Sequence, residues 1–159
     1  LACRLNNCPR TSHEIAEIFN LDKTSATNGC SVAVNILCNV DRNNEIEGSH
    51  QSDQLCTSNP AAFIDRYCSQ LQINHELIRL ANFIAMKIQK EKYINDNTPQ
   101  SIAAGIIYFV TQLGNLNVSK TDVRNVANVS EVTIGKCFKK LDALTEQLVP
   151  SCLLNKYRT

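Results

Sequence analysis

The chain is poor in the residues that break or bend backbone, with four prolines and five glycines in 159 residues. That scarcity suits a folded, helical protein rather than an extended or flexible one. It also lacks a charge of one sign, since 16 basic residues face 15 acidic ones and the formal net charge is +1. A global basic field of the kind that guarantees nucleic-acid binding is absent, so any such contact has to come from local clustering. No apolar run approaches the roughly 20 residues needed to span a bilayer. No secretory signal is visible, and no C-x-x-C pair or His at metal-ligand spacing accompanies the eight cysteines. A disulfide framework and a metal site are therefore not expected. Cys30, Cys38, Cys68 and Cys137 fall at helical core positions, where a thiol behaves as a small apolar side chain. His13, His50 and His75 have no catalytic partner visible in sequence, so the chain is not expected to be an enzyme.

What is present is helical periodicity in a chain that is 43% hydrophobic. The stretch from Thr98 to Leu113 is apolar nearly all round, with Ala and Gly interleaved among Ile, Val, Tyr and Phe. That is the pattern of a helix wrapped by other helices, and Pro99 suits its first turn, where a missing N–H costs nothing. Residues 119–141 then read as a helix-turn-helix. Ser119-x-x-Asp122 is an acidic relative of the capping box, Val123, Val126 and Ala127 form a short apolar stripe, and Asn128-Val129-Ser130 makes the turn. Ser130 caps a second helix with Ile134, Phe138 and Leu141 on one face and Thr133, Lys136 and Lys140 on another. Lys120, Arg124, Lys136, Lys139 and Lys140 against Asp122 and Glu131 give this segment a net charge of +3. It is the part of the chain suited to phosphates.

Upstream, Leu1-Ala-Cys-Arg4 reads as the last turn of a helix already under way, with further chain expected before it. Thr11-x-x-Glu14 is a capping box opening a short helix with Ile15, Ile18 and Phe19 on one face. Asp22 caps the next helix, which is expected to reach about Cys38 with Val32, Ile36 and Leu37 as apolar contacts. Gly29 weakens that helix by roughly 1 kcal/mol relative to Ala, and marks a possible close approach of a helix or of DNA backbone. Residues 41–58 are polar and acidic, and read as an exposed linker. Helices follow from Ser58-Asn59-Pro60, carrying Phe63, Ile64, Tyr67, Cys68 and Leu71, and from the cap Asn74, with Leu77, Ile78, Ala81, Ile84, Ala85 and Ile88 at helical spacing. Residues 150–159 read as a short basic tail. A shift of 108 residues aligns Ile15 with Val123, Ile18 with Val126, Asn20 with Asn128 and Asp22 with Ser130 without a gap. The chain therefore repeats a helix-turn-helix unit, as the back end of one repeat (1–40), a linker (41–58) and a complete second repeat of five helices (59–149).

Pro99-Gln-Ser-Ile-Ala-Ala-Gly-Ile-Ile-Tyr108, Val129-Ser-Glu-Val-Thr-Ile134, Ala2-Cys-Arg4 and Pro9-Arg-Thr11-x-x-Glu-Ile15 occur in order over nearly the whole chain. With these the sequence resembles transcription factor IIB. The resemblance implies an all-α fold of cyclin-like five-helix repeats, with only the last helices of the first repeat present. It implies TATA-box-binding protein, promoter DNA and RNA polymerase as partners, with no membrane and no small-molecule substrate. It also implies work in the nucleus, or in a viral factory or virion if the source is a large DNA virus. The family's zinc ribbon lies N-terminal to this stretch, so no cofactor is expected here. Carried over, Val132, the position of Gly135, and Lys139 face DNA upstream of the TATA element, beside Thr133, Lys136 and Lys140. Lys23 and Thr24, with Arg4 on the same side, face downstream DNA.

This sequence departs from the family pattern at three places. Where upstream readers carry Arg, able to make a bidentate guanine contact worth about 1–3 kcal/mol, stands Gly135. Asn28-Gly29-Cys30-Ser31 replaces a basic segment, leaving residues 10–33 at net −1. The loop before Pro99 is Asn95-Asp96-Asn97 rather than basic. The same repeat serves cyclin-type kinase regulators and the related initiation factor of RNA polymerase III, and fold alone does not separate the uses. A polar and basic outer face at Thr133, Lys136, Lys139 and Lys140, rather than an apolar one, favours DNA over a kinase.

Overall fold

A computed structural model describes residues 2–6, 8–43, 59–91, 93–94 and 97–157, and all of the regular structure among them is helical. The chain divides into two compact units, Leu1–Ser58 and Asn59–Thr159.

In the first unit α1 (Ala2–Leu5) is followed by α2 (Ser12–Ile18) and α3 (Lys23–Asn43). Two local devices start these helices. The Thr11 hydroxyl accepts from the Glu14 N–H at 3.2 Å, and the Glu14 carboxylate accepts from the Thr11 N–H at 2.7 Å, so two otherwise unpaired donors are satisfied reciprocally. Asp22 accepts from the Ser25 N–H at 2.9 Å. Between them Asn20 adopts a left-handed φ of 49°, a conformation Asn tolerates through its short polar side chain.

The packing differs from several expectations. α3 runs on to Asn43 rather than stopping near Cys38, so residues 41–43 belong to a helix and not to a linker. The remainder of the expected linker, 44–58, lies outside the described residues. Within this unit two packed helices bury Ala16 and Ala26, but Ile18 and Phe19 are each 66% exposed, and Val32 and Ile36 stand open as well. Helical periodicity marks a face, and burial needs a second surface to cover it; α2 and α3 cover only their mutual contact. Cys30 is likewise exposed rather than in a core. Among the described residues no heavy atom lies within 4 Å of a Cβ placed on Gly29, so none of the described helices approaches closely there.

The second unit holds α4 (Ala61–Gln70), α5 (His75–Glu91), α6 (Pro99–Leu113), α7 (Lys120–Ala127), α8 (Glu131–Ala143), α9 (Thr145–Leu148) and α10 (Ser151–Tyr157). α6 is the buried hub expected from its composition. Thr98 caps it through the Ser101 N–H, Pro99 occupies its first turn, and Ile102, Ala103, Ala104, Ile106, Ile107 and Val110 are all buried. α4, α5, α7 and α8 pack around it. α4 contributes Phe63, Ile64, Tyr67 and Cys68, and α5 contributes Leu77, Ala81, Ile84, Ala85 and Ile88, as their spacing predicts. Asn74 caps α5 through the Leu77 N–H at 2.9 Å. Leu80 and the loop residue Ile94 join this core although their sequence positions do not announce it.

The tightest approach is between α6 and α8. A Cβ on Gly105 would stand 2.4 Å from the Cβ of Cys137, so the two backbones can meet this closely only because position 105 has no side chain. Phe138 fits beside this crossing, with its ring edge-on to Tyr108 at 5.2 Å between centroids and tilted to Phe109 at 6.3 Å.

The stretch read as a short basic tail carries a helix. α10 buries Leu154, and Lys156 reaches back to both carboxylate oxygens of Glu76 in α5 at 2.6 and 2.8 Å. The second unit therefore extends past residue 149.

The two glycines make opposite predictions. Gly105→Ala should lower the stability of the second unit by about 1–3 kcal/mol through overpacking. Gly135→Ala, at the flank of α8 where the added Cβ meets only the end of Lys120 at 3.8 Å, should raise it by about 0.5–1 kcal/mol. Urea midpoints of the two variants shifting in the same direction would overturn this account of the crossing.

Candidate nucleic-acid interface

α7 and α8 each begin at a side-chain cap and are joined by a tight turn. The Ser119 hydroxyl accepts from the Asp122 N–H at 3.1 Å, while Asp122 accepts from the Ser119 N–H at 2.8 Å and from its hydroxyl at 2.6 Å. These donors hold the Asp122 carboxyl below its ordinary range, the Ser119 hydroxyl most and its backbone N–H next. α7 ends at Asn128, whose φ of 53° turns the chain. Ser130 then caps α8, accepting from the Thr133 N–H at 3.2 Å and sharing a hydrogen bond with the Thr133 hydroxyl at 2.8 Å. Glu131, in the first turn of α8, accepts from Arg124 and from Thr121 of α7, each at 3.3 Å. The side chain of Gln100 donates to the Ala127 carbonyl, tying the end of α7 to the hub.

This frame divides the side chains of α8 cleanly. Ile134, Cys137 and Leu141 are fully buried, and Phe138 packs against the core. At about 100° per residue, Val132, Lys136, Lys139 and Lys140 project to the opposite side, and all four are exposed, Val132 at 67%. Thr133 and Gly135 lie at its flanks, half-buried. The basic residues of the segment are not equivalent. Arg124 is paired with Glu131, and the Lys140 ammonium donates to Asn97 at 3.5 Å. Lys136 and Lys139 form no ion pair among the described residues.

The structure also brings in a residue that the sequence pattern did not single out. Lys120, the first residue of α7, sits with its ammonium 5.6 Å from the Tyr108 ring centroid and beside Gly135. The rest of α7 and a turn separate Lys120 from Gly135 in the chain, so only the fold places them together.

In the first unit, Lys23 and Thr24 form the exposed first turn of α3, directly after the capping carboxylate of Asp22. Arg4 belongs to α1; its side chain lies outside the described residues. Of the loop before Pro99, Asn97 is described and accepts from Lys140, and Asn95 and Asp96 lie outside.

Burial pushes the Cys68 thiol up to about 12, and burial raises that of Cys137 as well, so neither is a thiolate near neutrality. Among the described residues no three His, Cys, Asp or Glu side chains gather to hold a metal, and no helix is long and apolar enough to cross a membrane.

The two units repeat each other at the level of single hydrogen bonds. Under the same shift of 108 residues, Thr11 and Ser119 carry capping boxes and Asn20 and Asn128 the left-handed turns. The 2.8 Å bond from Cys8 N–H to Cys3 carbonyl matches the 2.9 Å bond from Leu116 N–H to Thr111 carbonyl. The bond from Ala26 to Asp22, 2.9 Å, matches that from Ile134 to Ser130, 3.0 Å.

A five-helix all-α repeat whose last two helices form a capped helix-turn-helix belongs to the cyclin-like class. Residues 53–143 match the family described as the transcription factor TFIIB repeat, and the chain belongs to that family. It is similar to a transcription initiation factor IIB-like protein of Acanthamoeba polyphaga mimivirus, with 32% identity over 99% of this chain and 34% of that protein. It is 29% identical to transcription initiation factor IIB of Encephalitozoon cuniculi over 98% of this chain and 46% of that protein. The Dictyostelium discoideum factor of the same name is 27% identical, over 95% and 43%. The chain thus spans between about a third and just under half of these relatives.

A depressed carboxyl in a cap links stability to pH. Asp122 contributes stability that is fully present above its unfolded pKa and is lost as pH falls through its depressed folded value. Ser119→Ala should return Asp122 toward the ordinary carboxylate range and flatten the acid limb of the stability curve. Carboxyl-carbon NMR titration would show it, and an unmoved Asp122 midpoint would refute the cap as the cause.

Proposed function

We propose that this chain is the core of a general transcription initiation factor. In this reading it binds the complex of TATA-box-binding protein with promoter DNA and bridges it to an RNA polymerase of type II. Residues 1–40 act as the back of a first cyclin-like repeat and residues 59–149 as a complete second one. The observation that carries this reading is the exposed cationic side of α8, held rigidly over a buried opposite side, in a chain of the TFIIB repeat family.

On this reading Val132, Lys136, Lys139 and Lys140 meet DNA upstream of the TATA element, with Thr133 and Gly135 at the edges of the contact. Lys23, Thr24 and Arg4 meet it downstream. The chain works by positioning, without catalysis and without a bound cofactor. Its place of action is the nucleus, or a viral factory if the source is a large DNA virus; the mimivirus relative supports the second setting. Lysine ammonium groups on an open surface suit phosphate, a contact that fixes register and carries no sequence information. Gly135 offers no donor where a bidentate base contact would arise. The upstream contact therefore grips more than it reads.

In a gel shift the chain should supershift a TATA duplex occupied by TATA-box-binding protein, and the absence of any supershift would overturn the proposal. Joint replacement of Lys136, Lys139 and Lys140 by Ala should weaken binding across sequences. It should also lower the log–log salt slope by about 0.9 for each phosphate that the variant no longer neutralises; an unchanged slope would make these lysines mere surface. Scrambling the upstream bases should cost less than about tenfold in affinity at fixed salt, and a larger loss would restore base reading to this helix.

A further inference from the structure

We propose that Lys120 is a DNA-phosphate contact, held in a notch between Tyr108 of α6 and Gly135 of α8 and supplying from α7 the charge that α8 lacks at position 135. The proposal rests on the DNA-binding reading above and extends it to a residue outside the recognition helix.

Three observations converge on Lys120. Its ammonium lies 5.6 Å from the Tyr108 ring centroid, within the range in which an aromatic face attracts a cation. The same ammonium lies 3.8 Å from where a Cβ on Gly135 would stand. The notch therefore takes an ammonium comfortably, and a long side chain at 135 would have to share it. Third, the nearby carboxylates are engaged elsewhere: Asp122 by Ser119, and Glu131 by Arg124 and Thr121. Lys120 is exposed and forms no ion pair among the described residues.

An exposed lysine ordinarily samples many rotamers and gives up that freedom when it binds. Here the Tyr108 ring attracts the ammonium to one place and Gly135 leaves that place open, which reduces the loss on binding. The geometry points to phosphate rather than to a base edge. Gly135 lies on the α7 flank of the stripe formed by Val132, Lys136 and Lys139. When the centre of such a stripe faces a groove, its flanks face the walls, which are sugar and phosphate.

The test uses the whole 159-residue chain, TATA-box-binding protein and a TATA duplex, with affinity measured across a salt series. Lys120→Gln should weaken binding about five- to tenfold near 0.1 M salt and lower the salt slope by about 0.9. Lys120→Arg should restore both, and both variants should keep the helical fold by circular dichroism. A Lys136→Ala, Lys139→Ala double variant serves as the reference. An unchanged slope for Lys120→Gln beside a flattened one for the reference would overturn this proposal and leave the DNA reading standing. Unchanged slopes in both would remove the DNA reading, and this contact with it.

Discussion

The crossing of α6 and α8 at Gly105 and Cys137 is the constraint on which the second unit depends. α6 is buried on nearly every side, so its surroundings have to fit it rather than the reverse. Where α8 meets it, the fit is closer than any side chain at 105 would allow. Once that distance is fixed, Phe138 falls between Tyr108 and Phe109, Ile134 and Leu141 turn inward, and the outward direction of α8 is no longer adjustable. A tightly packed core transmits such a constraint because it has little free volume in which to absorb it.

Polar contacts then determine which charges remain for a partner. Glu131 sits in the first turn of α8, where a carboxylate suits the helix dipole, and it pairs with Arg124. With that arginine paired to a carboxylate, the unpaired charge on the outer side of α8 is that of Lys136 and Lys139 among the described residues, with Lys140 beside Asn97. A net count over residues 119–141 treats five basic residues alike, whereas the fold gives them different work. Some brace the helix-turn-helix and others face outward.

What could be read from the sequence follows the range of each interaction. Caps act between residues three apart, so Thr11, Asn74, Ser119 and Ser130 are recognisable in the sequence and stand as expected. The 3.6-residue period locates the inward side of α8 for the same reason. Burial is a property of pairs of surfaces. Val129 is buried and its counterpart Leu21 is half-exposed, although the turns before them are alike. Sequence spacing could not distinguish these two, nor foresee that Ile94 and Leu154 would be drawn into the core. In the sequence Lys120 is one charge among several, because its significance lies in what stands beside it, namely the empty side of a glycine on another helix.

The thiol at the crossing has a consequence of its own. Cys137 and Cys68 are sealed within the second unit, whereas Cys8, Cys30 and Cys152 stand at the surface. Among these described cysteines, a thiol reagent would modify Cys8, Cys30 and Cys152 on the intact protein and reach Cys68 and Cys137 only in molecules whose helices have come apart. The interval between those two waves of modification would measure how often the packing opens, with no residue changed. The chain carries, in its buried sulfurs, a clock for its own unfolding.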